Sequence, residues 1–202
     1  RPGRRVTSRV VTAPYRRPAS YRDIVALPEN MVGEIVGGDL YASPRPASRH
    51  ARAASVLGAA VGGPFDVDPH GPGGWWIVDE PELHFGSNIL VPDLAGWRRE
   101  RMPVFPDVPF FEFPPDWVCE VVSPSTAGLD RVRKLPIYAR NGVANLWLVE
   151  PRARTVEVYR LQEGQWLLLA TYGGDDKMRA EPFAAVEIPL ASLWIPDPPS
   201  DR

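Results

Sequence analysis

Apolar positions along this chain fall into short runs whose period changes several times. Met31 to Tyr41 alternates around Gly37-Gly38-Asp39 and predicts a hairpin, Glu-Ile-Val turning into Leu-Tyr-Ala. From Ser48 to about Val61 the spacing becomes helical, with Ala51, Ala54, Val56, Leu57 and Ala60 as small packing residues and Gly62-Gly63-Pro64 as the stop. Trp75 to Val78, Leu83 to Phe85 and Ile89 to Trp97 then read as three strands, the last continuous. Residues 98–115 are irregular and rich in Pro and Phe, and Phe105, Phe110, Phe111 and Phe113 are expected to fold back on the core or to cover a partner subunit.

The most apolar strand is Trp117 to Val122. A helix follows from about Leu129 to Arg140, stopped by Asn141-Gly142, in which Pro136 predicts a kink or an early break. Asn145 to Val149 and Thr155 to Arg160 flank a Glu150-Pro151-Arg152 turn, and Trp166 to Tyr172 is expected to lie beside Val186 to Ile188. A short helix begins at Ser20 and ends before Pro28. Strands, then a helix, then strands again predict a mixed α/β (α+β) domain whose sheet is largely antiparallel and partly parallel. No internal repeat or linker divides the chain. The expected organisation is a flexible basic tail over 1–18, one domain over 19–196 and a short tail over 197–202.

Composition narrows the class. The chain has 202 residues, 44% hydrophobic and 24% charged, which suits one globular domain with a sizeable core. No apolar run approaches the ~20 residues of a membrane span, and no signal-peptide core opens the chain, so no membrane association is expected. The lone Cys119 excludes an internal disulfide framework, fits a reducing cytoplasm, and reads as a small buried thiol. A net charge of -2 gives no global attraction to nucleic acid, although Arg98, Arg99, Arg101, Arg131 and Arg133 lie near the candidate chemistry in sequence. Lysine is scarce: Lys134 and Lys177 stand alone in an arginine-biased chain, so Lys134 suggests that a compact ammonium is wanted there.

That chemistry starts from two acids inside apolar strands, Asp93 and Glu120. An unpaired carboxylate at such a position costs several kcal/mol, so a cation should face it. Hydrolysis of a phosphodiester needs an acidified water, neutralised phosphoryl charge and help for the departing alkoxide, which Mg²⁺ or Mn²⁺ supplies through hard oxygen ligands. Asp93 and Glu120 on neighbouring strands offer two carboxylates to one ion, with the Val121 carbonyl as a third ligand. Lys134 on the following helix aims an ammonium at the water or the transition-state charge. Glu34, between Val32 and Ile35-Val36, is a candidate for an outer metal or water contact.

Five stretches together resemble the Uma2 family of the PD-(D/E)XK, restriction-endonuclease-like superfamily. They are Glu34-Ile-Val-Gly-Gly-Asp-Leu, Val91-Pro-Asp-Leu-Ala-Gly-Trp97, Val118-Cys-Glu-Val-Val-Ser-Pro-Ser-Thr126, Asp130-Arg-Val-Arg-Lys134 and Gly142-Val-Ala-Asn-Leu-Trp-Leu-Val-Glu-Pro151. The resemblance implies a restriction-endonuclease-like fold, a mixed central sheet flanked by helices with additional antiparallel strands. It implies a metal-dependent endonuclease acting on DNA, Asp93 and Glu120 as ligands, and Lys134 as catalytic base or stabiliser. A homodimer follows from the superfamily, with Phe105 to Phe113 a candidate interface. One departure stands out: Val122 occupies the place of the usual lysine two residues after Glu120, so Lys134 would be a migrated lysine. The alternative is a catalytically silent protein that keeps the fold as a binding or assembly module.

The remaining candidates read as structural. Glu80 and Glu82 suit a strand edge. His50, His70 and His84 form no metal pattern, and His50 is read as a surface or capping residue, with the cleft near Glu34 as its alternative place. Ser123, Ser125 and Thr126 read as turn and cap residues.

Overall fold

The computed structural model describes residues 17–123 and 127–196. The expected tails lie outside these residues, apart from Arg17, Pro18 and the ends of the domain, as do the Ser125 and Thr126 cap positions. Along the chain, α1 (Tyr21–Val25) leads into the hairpin β1 (Met31–Val36) and β2 (Asp39–Pro44), then α2 (Ser48–Gly62). Strands β3 (Trp75–Asp79), β4 (Leu83–Phe85), β5 (Asn88–Leu90), β6 (Leu94–Arg98) and β7 (Trp117–Val121) follow. A π-helical turn (Leu129–Lys134) continues into α3 (Leu135–Arg140), and then come β8 (Asn145–Glu150), β9 (Thr155–Gln162), β10 (Gln165–Gly173), β11 (Lys177–Met178) and β12 (Ile188–Pro189).

Six strands form the central sheet in the order β10-β9-β8-β7-β6-β3, and β2-β1-β5-β4 form a second sheet. Within the central sheet β7 and β8 run parallel and the other pairs antiparallel. A parallel pair needs a crossover, and the segment carrying α3 supplies it. The expected mixed sheet with extra antiparallel strands is therefore present. Gly37 and Gly38, with φ of 63° and 88°, make the two-residue turn between β1 and β2.

Alternation along β7 divides the core in two. Trp117, Cys119 and Val121 face α2 through Ala53, Leu57 and Val61, together with Phe183 and Leu193 from the C-terminal segment. Val118 and Val122 face the other way, toward Leu83, Leu90, Trp97, Ile137 and Tyr138. The two-residue period thus carries Glu120 to the side of α3 and the second sheet. Cys119 is fully buried, as expected.

Three local expectations change, and the early break expected at Pro136 is present. Ile89 to Trp97 is two strands in two sheets, because Pro92 has no N–H for the ladder and turns the chain between β5 and β6. The small-residue helix does not stop at Gly62. It widens into a π turn over Gly63–Val67, with Pro64 in its first turn, where an N–H is not required. The break near Pro136 falls just before it, with the proline in the first turn of α3. Ile188 pairs with Met178 rather than with β10, because the C-terminal segment folds beneath the sheet to bury Phe183, Ile188 and Leu190.

The phenylalanine-rich segment mostly folds back. Phe111 is buried and stacks near Trp97, Phe110 lies flat on His84, and Phe105 and Phe113 stay 41% and 40% exposed. Arg98, Arg99 and Arg101 sit at the end of β6 opposite Asp93, so their nearness in sequence does not carry into space. Arg99 covers Trp76 and pairs with Asp66 at 2.6 Å, and Arg101 pairs with Asp116 at 2.5 Å.

Candidate active site

Glu120 and Lys134 meet because a strand and a wide helical turn point at each other. Glu120 leaves β7 on the α3 side, and the π turn directs Asp130 and Lys134 inward together, both buried. A π turn packs one more residue into a turn than an α-helix does, a feature frequent at functional sites. The Lys134 ammonium lies 2.9 Å from Glu34 Oε1, 3.2 Å from Glu120 Oε1 and 3.2 Å from Asp130 Oδ1. Glu34 reaches it from β1 and also accepts a 2.8 Å hydrogen bond from the Val91 N–H, which ties the β5–β6 connection to this cluster. Tyr138, one helical turn past Lys134, donates a 2.6 Å hydrogen bond to Glu120 Oε1.

Three carboxylates therefore share one ammonium among residues that water barely reaches. Burial pushes the Glu120 carboxyl well above the ordinary carboxylate range, with Lys134 opposing that rise and Asp130, Glu34 and Asp93 adding to it. Glu34 is raised for the same first reason, again opposed by Lys134. For Lys134 burial favours the neutral amine, but the Glu120, Glu34 and Asp130 charges outweigh it and hold the group protonated well above its ordinary range. Lys134 is the cation that the buried Glu120 demanded.

Asp93 stands beside this cluster. Antiparallel pairing of Leu94 with Cys119 and Ala95 with Val118 places Asp93 opposite Glu120 when the register is continued by one residue. Asp93 Oδ2 accepts a 2.6 Å hydrogen bond from the Val121 N–H, and its other oxygen meets His50 Nε2 from the first turn of α2. The Asp93, His50 and Glu34 side chains are 13%, 20% and 12% exposed, against 4% for Glu120 and Lys134, so water reaches the rim of the cluster and hardly its centre.

Of the residues singled out in the sequence, Glu34, Glu120 and Lys134 are in direct contact, Asp93 adjoins them, and Val121 is held by its N–H. His50 is not a surface or capping residue: it bonds Asp93. Asp130 and Tyr138 are new members, and the spacing Asp130, Lys134, Tyr138 at intervals of four was the available signal for both. Glu82 is paired with His84 at 2.7 Å, away from the cluster.

Among the described residues no group of three or more His, Cys, Asp and Glu is placed to hold a metal ion. The Lys134 ammonium fills the centre that Glu34, Glu120 and Asp130 would otherwise offer. What remains for a cation is the all-oxygen pair Asp93 and Glu120, with the Val121 backbone at the same edge of β7. This donor set suits a hard ion such as Mg²⁺, which takes one or two carboxylates and completes its shell with water and substrate phosphate.

Comparisons agree with this architecture. A crystal structure from Anabaena variabilis ATCC 29413, described as a "putative nuclease belonging to DUF820", superposes with a TM-score of 0.69 at 21% identity, over 87% of this chain and 97% of that one. At that identity the likeness establishes the fold. No curated protein matches the chain. The profile of the Uma2 family, described as "Putative restriction endonuclease", matches residues 21–191. With most of its length matched, and with a nuclease-like fold around a buried carboxylate–lysine cluster, the chain belongs to the Uma2 family.

Proposed function

We propose that this protein is a metal-dependent endonuclease that hydrolyses DNA phosphodiester bonds at the edge formed by Asp93 and Glu120. The observation that carries the reading is the placement of Asp93 opposite Glu120 with the Lys134 ammonium against Glu120. The family description and the nuclease-like fold support it. Asp93, Glu120 and the Val121 carbonyl would hold a single Mg²⁺ or Mn²⁺, which supplies charge neutralisation at the phosphate and a more acidic attacking water.

The chain's own groups do the rest. Lys134 presents a positive charge placed to favour the negative charge that grows on the phosphoryl oxygens. Glu34 from β1 and Asp130 from the same π turn hold that ammonium in place. His50 fixes the orientation of Asp93. Among the described residues one such cluster is present, so cleavage of both strands of a duplex calls for a homodimer. The buried Cys119 thiol suits a cytoplasmic setting.

A second reading has its own observation. Lys134 is 4% exposed and paired with three carboxylates, so the cluster is also what a silent protein with a plugged site would keep. Cleavage of a panel of single-stranded, duplex and branched DNA separates the two. Cleavage with Mn²⁺ or Mg²⁺ that is lost with EDTA, Asp93→Ala or Lys134→Ala supports the nuclease. No cleavage together with no metal uptake by calorimetry supports the silent module. Cleavage that survives both substitutions places the activity elsewhere.

A further inference from the structure

We infer that Tyr138 is a positioning residue for Glu120, fixing the carboxylate through Oε1 so that Oε2 is the oxygen presented to a metal ion. This rests on the reading of Asp93 and Glu120 as the metal-binding edge. Glu120 Oε1 receives the Tyr138 hydroxyl at 2.6 Å and the Lys134 ammonium at 3.2 Å. Among the described residues Oε2 has only the longer contact, 3.4 Å from the same ammonium. Two donors on one oxygen and a marginal one on the other leave the carboxylate asymmetric, with free lone-pair capacity on Oε2.

The hydroxyl can hold this role because the ring that carries it is packed into the core. Tyr138 is fully buried and meets Phe85 edge-on, with centroids 6.5 Å apart at 87°. Tyr138 and Lys134 lie one turn apart on the same helical segment, and both bond one carboxylate. A lysine alone contacts both oxygens and does not choose between them; the tyrosine breaks the tie. Hydrogen-bonding partners of metal ligands of this kind govern affinity by roughly 10–100-fold.

The test uses the full chain. Tyr138→Phe keeps the ring and removes the hydroxyl. Calorimetric titration with Mn²⁺ is expected to show roughly tenfold or greater weakening, and the KM for DNA should stay unchanged. Phe85→Leu loosens the ring's packing and spares the hydroxyl, so its Mn²⁺ affinity should match the wild type. Wild-type affinity in Tyr138→Phe would overturn the inference, as would equal weakening in both variants, which would make the effect one of packing. Wild-type protein that takes up no Mn²⁺ at all would remove the metal-site reading itself, and this inference with it.

Discussion

The Asp93 carboxylate accepts a 2.6 Å hydrogen bond from the backbone N–H of Val121, across the gap between β6 and β7. A side chain thus completes the sheet edge where the ladder between these strands runs out. The orientation of Asp93 is set by main chain on one side and by His50 on the other, which holds the carboxylate beside Glu120 before any ligand arrives.

Removing the Lys134 charge should be costly. Lys134→Met keeps much of the volume and leaves Glu34, Glu120 and Asp130 facing one another without their ammonium. A loss of about 3–5 kcal/mol in urea unfolding at neutral pH is expected for breaking a buried ion pair in this way. A loss below about 1 kcal/mol would mean that the carboxylates are already neutral.

The raised Glu34 pKa has a defined sign in stability. Burial lifts it above its ordinary 4.5, so the native state binds this proton more tightly than the unfolded chain does. The group's contribution is complete below its unfolded value and is lost as pH rises through the raised folded value. Glu34→Gln removes that loss, so its stability relative to wild type should rise as the pH is raised above about 4.5. Urea midpoints across that range would show it; a flat difference would count against a raised Glu34.

His50→Ala should separate activity from stability. A partly buried hydrogen bond contributes about 1 kcal/mol, so the unfolding midpoint should move little. If Asp93 ligates a metal as proposed, losing its partner should lower metal affinity or cleavage by about 10–100-fold. Unchanged cleavage and unchanged Mn²⁺ affinity would leave His50 no role in orienting Asp93.

The packing claim is tested at Phe183. Its ring contacts those of Phe65, Trp75, Trp117 and Trp147, with centroids 4.8 to 5.7 Å away. Phe183→Ala should cost about 3–5 kcal/mol, with no change in Mn²⁺ binding, because the cluster lies on the opposite face of β7. Loss of Mn²⁺ binding in a protein that remains folded would show that the two faces are coupled.

By itself the sequence determined most of the strands and helices, the hairpin at Gly37-Gly38, the family, and Asp93, Glu120, Lys134 and Glu34 as the candidate residues that the fold brings near one another, since acids in apolar runs and a solitary lysine are local signals. Local signals stop there. That Ile89 to Trp97 serves two sheets, that His50 on α2 reaches Asp93, and that Asp130 and Tyr138 join Glu120 depend on which elements pack against β7. The protonation of Lys134 depends on it too, because an ammonium's charge state follows from how many carboxylates surround it once water is excluded. Chain spacing encodes which face a side chain takes, while the partners waiting on that face are set by the tertiary fold.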